Sequence, residues 1–142
     1  MAALLEECRV AIDFEAKNSS HPQLILTAAG QYSPDFLSAN FPVYSLLVDS
    51  IQRNLDWLNI VAYRYYQPAS ATYTRAVAAL HDPETHVDTD DGIKAWIARG
   101  LSANKMVLGL PFFGYIWTLK NSQDNGIGAA VTGLEIVQAL MI

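Results

Sequence analysis

Apolar positions first recur at helical spacing. Leu4, Leu5, Cys8, Ala11 and Ile12 mark an amphipathic opening helix that runs out at Asn18-Ser-Ser-His-Pro22. The pattern then changes to a short continuous run, Gln23-Leu-Ile-Leu-Thr-Ala-Ala29, too short for a free helix and bounded by turn residues. Such a run predicts a strand buried on both faces, ended by Gly30. Beyond the Ser33-Pro34-Asp35 turn, a helix is expected from around Leu46 to Leu55. A second strand, rich in aromatic and β-branched residues, follows over Asp56-Trp-Leu-Asn-Ile-Val-Ala-Tyr63. Residues 64–87 are mixed. A third helix is expected over Thr89–Arg99, with Ile93, Trp96 and Ile97 on one face and Gly100 as its C-terminal cap. The third apolar strand is Lys105-Met-Val-Leu-Gly-Leu-Pro111. After the turn-rich stretch from Asn121 to Gly133, Thr132-x-x-Glu135 has the spacing of a capping box opening a further helix.

Strands alternating with helical patterns imply βαβ units, so the fold class is α/β, with parallel pairing. In such sheets chemistry gathers at the carboxyl ends of the strands. Here those ends are Ala28–Tyr32, Tyr63–Tyr66 and Pro111–Trp117, all rich in aromatic or amide side chains. Three strands make a thin sheet for this much apolar sequence, and the chain reads as part of something larger.

Composition narrows the function classes. The 142 residues are 51% hydrophobic and carry a net charge of −5 with only nine Lys and Arg, without a basic cluster. A nucleic-acid surface is therefore not expected. No run of about 18 apolar residues is present, so no membrane partner is expected, and the acids near the start do not fit an export signal. The single cysteine, Cys8, falls on the apolar helix face as a buried small hydrophobe. Asn18-Ser19-Ser20 is a formal glycosylation sequon that matters only in a secreted chain. His21, His81 and His86 lack metal-ligand spacing and are expected to face solvent, and no cofactor is expected. Asp88-Thr-Asp-Asp91 opens a helix, where acids satisfy free backbone N–H groups.

Three segments in order carry a resemblance: Leu24-Ile-Leu-Thr-Ala-Ala-Gly-Gln-Tyr-Ser-Pro34, Leu55-Asp-Trp-Leu-Asn-Ile-Val-Ala-Tyr63 and Leu108-Gly-Leu-Pro-Phe-Phe-Gly-Tyr-Ile-Trp117, followed by Asp124-Asn-Gly-Ile-Gly-Ala129. Together they resemble the later barrel strands of family 18 glycoside hydrolases, particularly plant class V chitinases. The resemblance implies a partial (β/α)8 TIM barrel, strands five to seven with their helices over residues 1–118, and the start of an inserted α+β subdomain over 119–142. A complete barrel needs at least about 200 residues. The implied partners are chitin or N-acetylglucosamine oligosaccharides. Exposed sheet edges lead us to expect self-association as well, and the family suggests an extracellular or vacuolar location. The loop Phe41–Val48 looks longer than the family's usual connection.

The family cleaves β-1,4-linked N-acetylglucosamine polymers with a glutamic acid that ends an Asp-x-x-Asp-x-Asp-x-Glu motif. That motif is absent from this sequence, so catalysis by this chain alone is not expected. The alternatives are a non-catalytic, lectin-like carbohydrate binder and a non-functional fragment. At the strand ends the resemblance assigns substrate contacts to Tyr63, Arg64, Gln31, Tyr32, Phe113, Tyr115 and Trp117. Tyr63 matches the tyrosine of the family's Met-x-Tyr-Asp pattern, whereas Arg64 stands where the family has the acid, reversing a charge in the cleft. Val61 replaces Met, and Phe113 takes a position usually held by Tyr, which keeps a ring but loses a hydroxyl. Read from bare residues, Tyr63 serves equally well as a core tyrosine, and Trp117 as a packing residue.

Overall fold

The computed structural model describes residues 1–35, 44–66 and 71–135. Three parallel strands, β1 (Thr27–Gln31), β2 (Trp57–Val61) and β3 (Met106–Gly109), form a sheet in that order. Helix α1 (Ala2–Asn18) precedes β1, α2 (Tyr44–Asn54) joins β1 to β2, and α3 (Thr89–Ala98) joins β2 to β3. The class is α/β. An antiparallel pair, β4 (Ile116–Leu119) and β5 (Val131–Glu135), follows.

The core lies on one side of the sheet. Leu58, Ile60 and Ala62 pack with Val48, Ile51 and Leu55 of and just after α2, and with Trp96 and Leu101 of and just after α3. Alternation in β2 is strict, with Leu58 and Ile60 buried and Trp57, Asn59 and Val61 only half-buried on the opposite face. The same pattern corrects the expectation of a strand buried on both faces: in β1, Ala28 and Gly30 are half-buried, while Thr27, Ala29 and Gln31 are exposed. Helices cover one face of the described sheet and leave the other open.

Strand β1 is also shifted from its expected span. It begins at Thr27, where pairing with Trp57 begins, and continues through Gly30 opposite Ile60. Leu24 and Ile25, without a paired neighbour strand, remain 62% and 65% exposed. The start of pairing is fixed by Asp56, whose carboxylate accepts the Leu26 backbone N–H at 2.7 Å and the Arg9 guanidinium at 2.7 Å. Arg9 also donates to the Asn54 carbonyl at 2.7 Å, so α1, α2 and the entry to β2 meet at one ion pair. Helix α1 itself buries little: Leu5, Cys8 and Ile12 are half-buried, Leu4 and Ala11 are exposed, and Cys8 is therefore not the buried hydrophobe expected.

Helix α3 follows its sequence signals closely. Asp88, fully buried, caps it by accepting the Asp91 N–H at 2.8 Å, and its second oxygen accepts the Asp82 N–H at 2.8 Å. At the other end Gly100 adopts φ +100°, the Leu101 N–H reaches the Trp96 carbonyl at 3.1 Å and the Gly100 N–H reaches that of Ile97 at 2.9 Å, a Schellman closure. Trp96 is buried as expected, but Ile97 is 49% exposed because its side of the helix meets no second layer. His81 and His86 face solvent, His86 bonding Asp91 at 2.7 Å.

The capping-box expectation at Thr132-x-x-Glu135 is overturned. Val131–Glu135 is a strand paired with β4, Leu134 opposite Trp117, with a bulge at Thr118/Leu119. Pairing with β4 and the β-branched Val131-Thr132 pair outweigh a local cap signal. The helix expected beyond Glu135 lies outside the described residues. Of the long loop at Phe41–Val48, residues 41–43 also lie outside the described residues and 44–48 begin α2.

Acid sensitivity follows from the two carboxylates that organise this layer. Asp56 is held below the ordinary carboxylate range, first by the Leu26 N–H and then by Arg9. For Asp88, burial pushes upward, but the N–H groups of Asp91 and Asp82, together with nearby His81, outweigh it and leave the group low. Both groups contribute stability that is present above the unfolded value of about 3.9 and lost as pH falls through the lower folded values. Urea midpoints are therefore expected to be level from neutral to about pH 5 and to fall steeply below about pH 4. Equal midpoints at pH 6 and pH 3 would contradict this.

Candidate functional site

Beyond the carboxyl ends of β2 and β3 the chain places a row of rings. From Phe113 the backbone runs extended into β4, so Phe113, Tyr115, Trp117 and Leu119 share one side and are half-buried, whereas Phe112, Gly114 and Ile116 point the other way and are exposed. Two residues of extended chain span about 6.6 Å, and the ring centroids follow that spacing. Phe113 and Tyr115 lie 6.0 Å apart at 63°, and Tyr115 and Trp117 lie 6.1 Å apart at 72°. Tyr63, just past β2, closes the row with an edge contact to Phe113 at 5.9 Å and 84°. These are favourable edge-to-face geometries, and they hold four aromatic faces at fixed angles.

Arg64 completes the group. Its backbone adopts φ +59°, a left-handed conformation uncommon for a non-glycine residue, and its N–H donates to the Val77 carbonyl at 2.8 Å. The guanidinium then sits 4.8 Å from the Phe113 ring centroid, within cation–π range. Five of the seven residues expected at the site, Tyr63, Arg64, Phe113, Tyr115 and Trp117, thus form one contiguous ladder.

Gln31 and Tyr32 stand apart from it. The Gln31 side chain is exposed, and its carbonyl accepts the Trp96 indole N–H at 3.1 Å. Tyr32 turns toward α3, its ring 4.7 Å from that of Tyr65 at 62°. A side chain at Gly92 would collide with the Tyr32 carbonyl at 2.3 Å, so helix and loop approach closely there. Asp35 forms an ion pair with Arg99 from the same region. Burial first, then neighbouring Tyr66 and Asp88, raises the Tyr32 phenol, and burial likewise raises Tyr65, whose hydroxyl lies 2.6 Å from that of Thr89. Both phenols stay neutral and act as packing groups.

Several contributors are not apparent from the strand-end pattern. A shallow cleft beside the ladder is lined by Arg64, Tyr66, Arg75, Val77, Tyr115 and Trp117 among others. Arg75 lies 4.2 Å from the Tyr66 ring centroid. The Tyr66 hydroxyl lies 2.8 Å from that of Thr85 and donates to Asp82 at 3.3 Å. The Thr85 hydroxyl, ahead of the backbone N–H groups, holds the Asp82 carboxyl below its ordinary value. Thr74 locks the arrangement by donating to the Gly126 carbonyl at 2.7 Å and accepting the Ala129 N–H at 3.0 Å, which ties the Arg75 segment to the β4–β5 unit. Gly109 leaves room for Tyr63, whose ring lies 3.4 Å from where a Cβ would stand. Arg75 and Thr74 carry no local signal, since their partners lie far along the chain.

Chemically, the ladder offers flat apolar faces flanked by hydroxyl and guanidinium donors, a surface suited to the C–H faces and hydroxyls of a sugar. No carboxylate among the described residues lines the cleft. Among the described residues, no three His, Cys, Asp or Glu side chains converge as metal ligands, and no helix is long and apolar enough to cross a membrane.

Comparison with known proteins places the chain in a family. The sequence profile of the glycosyl hydrolases family 18 matches residues 1–139. The chain is 40% identical over 134 residues to a class V chitinase of Arabidopsis thaliana, covering 94% of this chain and 34% of that protein. It superposes with a TM-score of 0.83 on the class V chitinase of Nicotiana tobaccum, solved as a mutant in complex with NAG4, at 44% identity, 93% of this chain and 37% of that one. It superposes equally, with a TM-score of 0.83, on a chitinase-like agglutinin from Robinia pseudoacacia at 34% identity, covering 94% and 39%. The chain spans about a third of the length of the curated relatives it matches.

Proposed function

Because the chain belongs to the glycosyl hydrolases family 18, we propose that it binds β-1,4-linked N-acetylglucosamine oligosaccharides through the ladder and does not hydrolyse them by itself. The observation that carries this reading is the edge-to-face row Tyr63–Phe113–Tyr115–Trp117 at the strand ends. In it, the rings of Tyr115 and Trp117 stack on sugar faces and the Tyr63 hydroxyl bonds the acetamido oxygen. Arg64 borders the ligand, whereas Gln31 and Tyr32, which stand apart from the ladder, are given no contact with it.

Within the same proposal, β1, β2 and β3 are strands five to seven of a (β/α)8 barrel, with 1–118 contributing barrel elements and 119–142 the start of an inserted subdomain. The open sheet face and exposed Leu24, Ile25, Leu110 and Phe112 are the surfaces that further barrel strands, or a second copy, would cover. The lectin-like alternative draws on the likeness to the Robinia pseudoacacia agglutinin, and the sequence carries no Asp-x-x-Asp-x-Asp-x-Glu motif to supply turnover.

Ring removal tests the proposal. Trp117→Ala and Tyr63→Ala are each expected to weaken binding of a neutral N-acetylglucosamine tetramer about tenfold, a loss of about 1.4 kcal/mol. Tyr63→Phe is expected to lose less, about 0.5–1.5 kcal/mol for one hydrogen bond. Calorimetric titrations showing undiminished affinity in both alanine variants would remove the ladder from the binding surface.

A further inference from the structure

We propose that the cleft between Arg64 and Arg75 is an anion-accepting subsite for a carboxylate carried on a saccharide, an inference that rests on the saccharide-binding reading above. The two segments are drawn together by the Arg64 N–H bond to the Val77 carbonyl, and both arginines line one cleft with Tyr66, Tyr115 and Trp117. Each guanidinium lies over an aromatic ring, Arg64 over Phe113 at 4.8 Å and Arg75 over Tyr66 at 4.2 Å. A guanidinium held over a ring by its cation–π contact still carries five N–H donors, which can bind a carboxylate through two parallel bonds.

Neither arginine has a carboxylate partner within 4.0 Å among the described residues, whereas Arg9, Lys94 and Arg99 each pair with an aspartate. Asp82, which shares the Tyr66 hydroxyl, is already engaged by the hydroxyls of Thr85 and Tyr66 and by the N–H groups of Glu84 and Thr85. The whole chain carries a net charge of −5, so two unpaired cations in one aromatic-lined cleft are a local feature and not a reflection of overall charge. Arg64 moreover holds its place with a left-handed backbone, a conformation that persists where surrounding contacts over-determine it and that clusters at ligand sites. Aromatic faces for the sugar ring and paired guanidinium edges for its acid group together describe a uronate-type unit.

The test compares three tetrasaccharides by titration at low salt: neutral N-acetylglucosamine, the fully deacetylated cationic form, and one alternating N-acetylglucosamine with glucuronate. The carboxylate-bearing tetramer is expected to bind about tenfold more tightly than the neutral one, and the cationic one most weakly, as for hydrogen bonds to charged groups. In Arg75→Gln the ratio of charged to neutral affinity is expected to fall to about one, with Arg75→Lys recovering part of it because the charge remains while the fork geometry is lost. Unchanged thermal unfolding midpoints confirm that each variant folds. Equal affinity for charged and neutral tetramers, or a preference that survives Arg75→Gln, would overturn the inference. If none of the three tetramers binds the unsubstituted chain, the saccharide reading itself fails. Glucuronate alone, followed through the arginine side-chain N–H signals, then decides the subsite: shifts at Arg64 and Arg75 retain it and their absence ends it.

Discussion

Trp96→Ala is expected to destabilise the chain by about 3–5 kcal/mol, the range for deleting a large aromatic side chain from a packed core. Trp96 is 2% exposed and packs against Leu58, Ile60 and Leu101 within the single described core. Its indole N–H also donates to the Gln31 carbonyl at 3.1 Å, which fastens α3 to the end of β1. A domain of this size is stable by only about 5–15 kcal/mol, so the loss takes a large share of the total. Trp96→Phe separates the two contributions, since it keeps most of the volume and leaves the Gln31 carbonyl without its donor, for about 1–3 kcal/mol. Urea unfolding followed by circular dichroism gives both numbers, and an unchanged midpoint in Trp96→Ala would place the core elsewhere.

The isolated chain is expected to release oligosaccharide at the rate of the protein-free blank. General acid assistance is worth about 10² to 10⁴ in rate, and the carboxylates described near the strand ends are committed to other tasks. Asp88 caps α3, Asp56 holds Leu26 and Arg9, Asp35 pairs with Arg99, Asp90 with Lys94 and Asp91 with His86. Asp82 gathers four donors at the far side of Tyr66. None of them lines the cleft beside the ladder, where a proton donor to a leaving oxygen must stand within about 3 Å of it. Reducing-end assays on N-acetylglucosamine oligomers decide the matter: product above the blank from purified chain would mean that one of these acids is free to act.

The alternation of short apolar runs with helical spacing made the parallel sheet legible, because strands flanked by covering helices need such runs whatever their partners are. Boundaries were less legible. The run Gln23–Ala29 is apolar from its first leucine, yet β1 starts only where β2 lies alongside, and the capping signal at Thr132-x-x-Glu135 yields to pairing with β4; both outcomes depend on a partner distant in sequence. The ladder was half visible. Rings at 113, 115 and 117 have the period of an extended chain and so share a side, but the contact of Tyr63 with Phe113 joins residues fifty positions apart. Arg75 could not be read at all, since its place beside Arg64 is set by the Val77 carbonyl and by the Thr74 bonds to Gly126 and Ala129.

The decisive measurement follows the three indole N–H resonances of Trp57, Trp96 and Trp117 during titration with the neutral N-acetylglucosamine tetramer. Sugar bound on the ladder should move the Trp117 signal, together with ring signals of Tyr63 and Tyr115, and leave that of buried Trp96 in place. A titration in which Trp117 stays still, or in which only Trp96 responds, would contradict saccharide binding at the ladder.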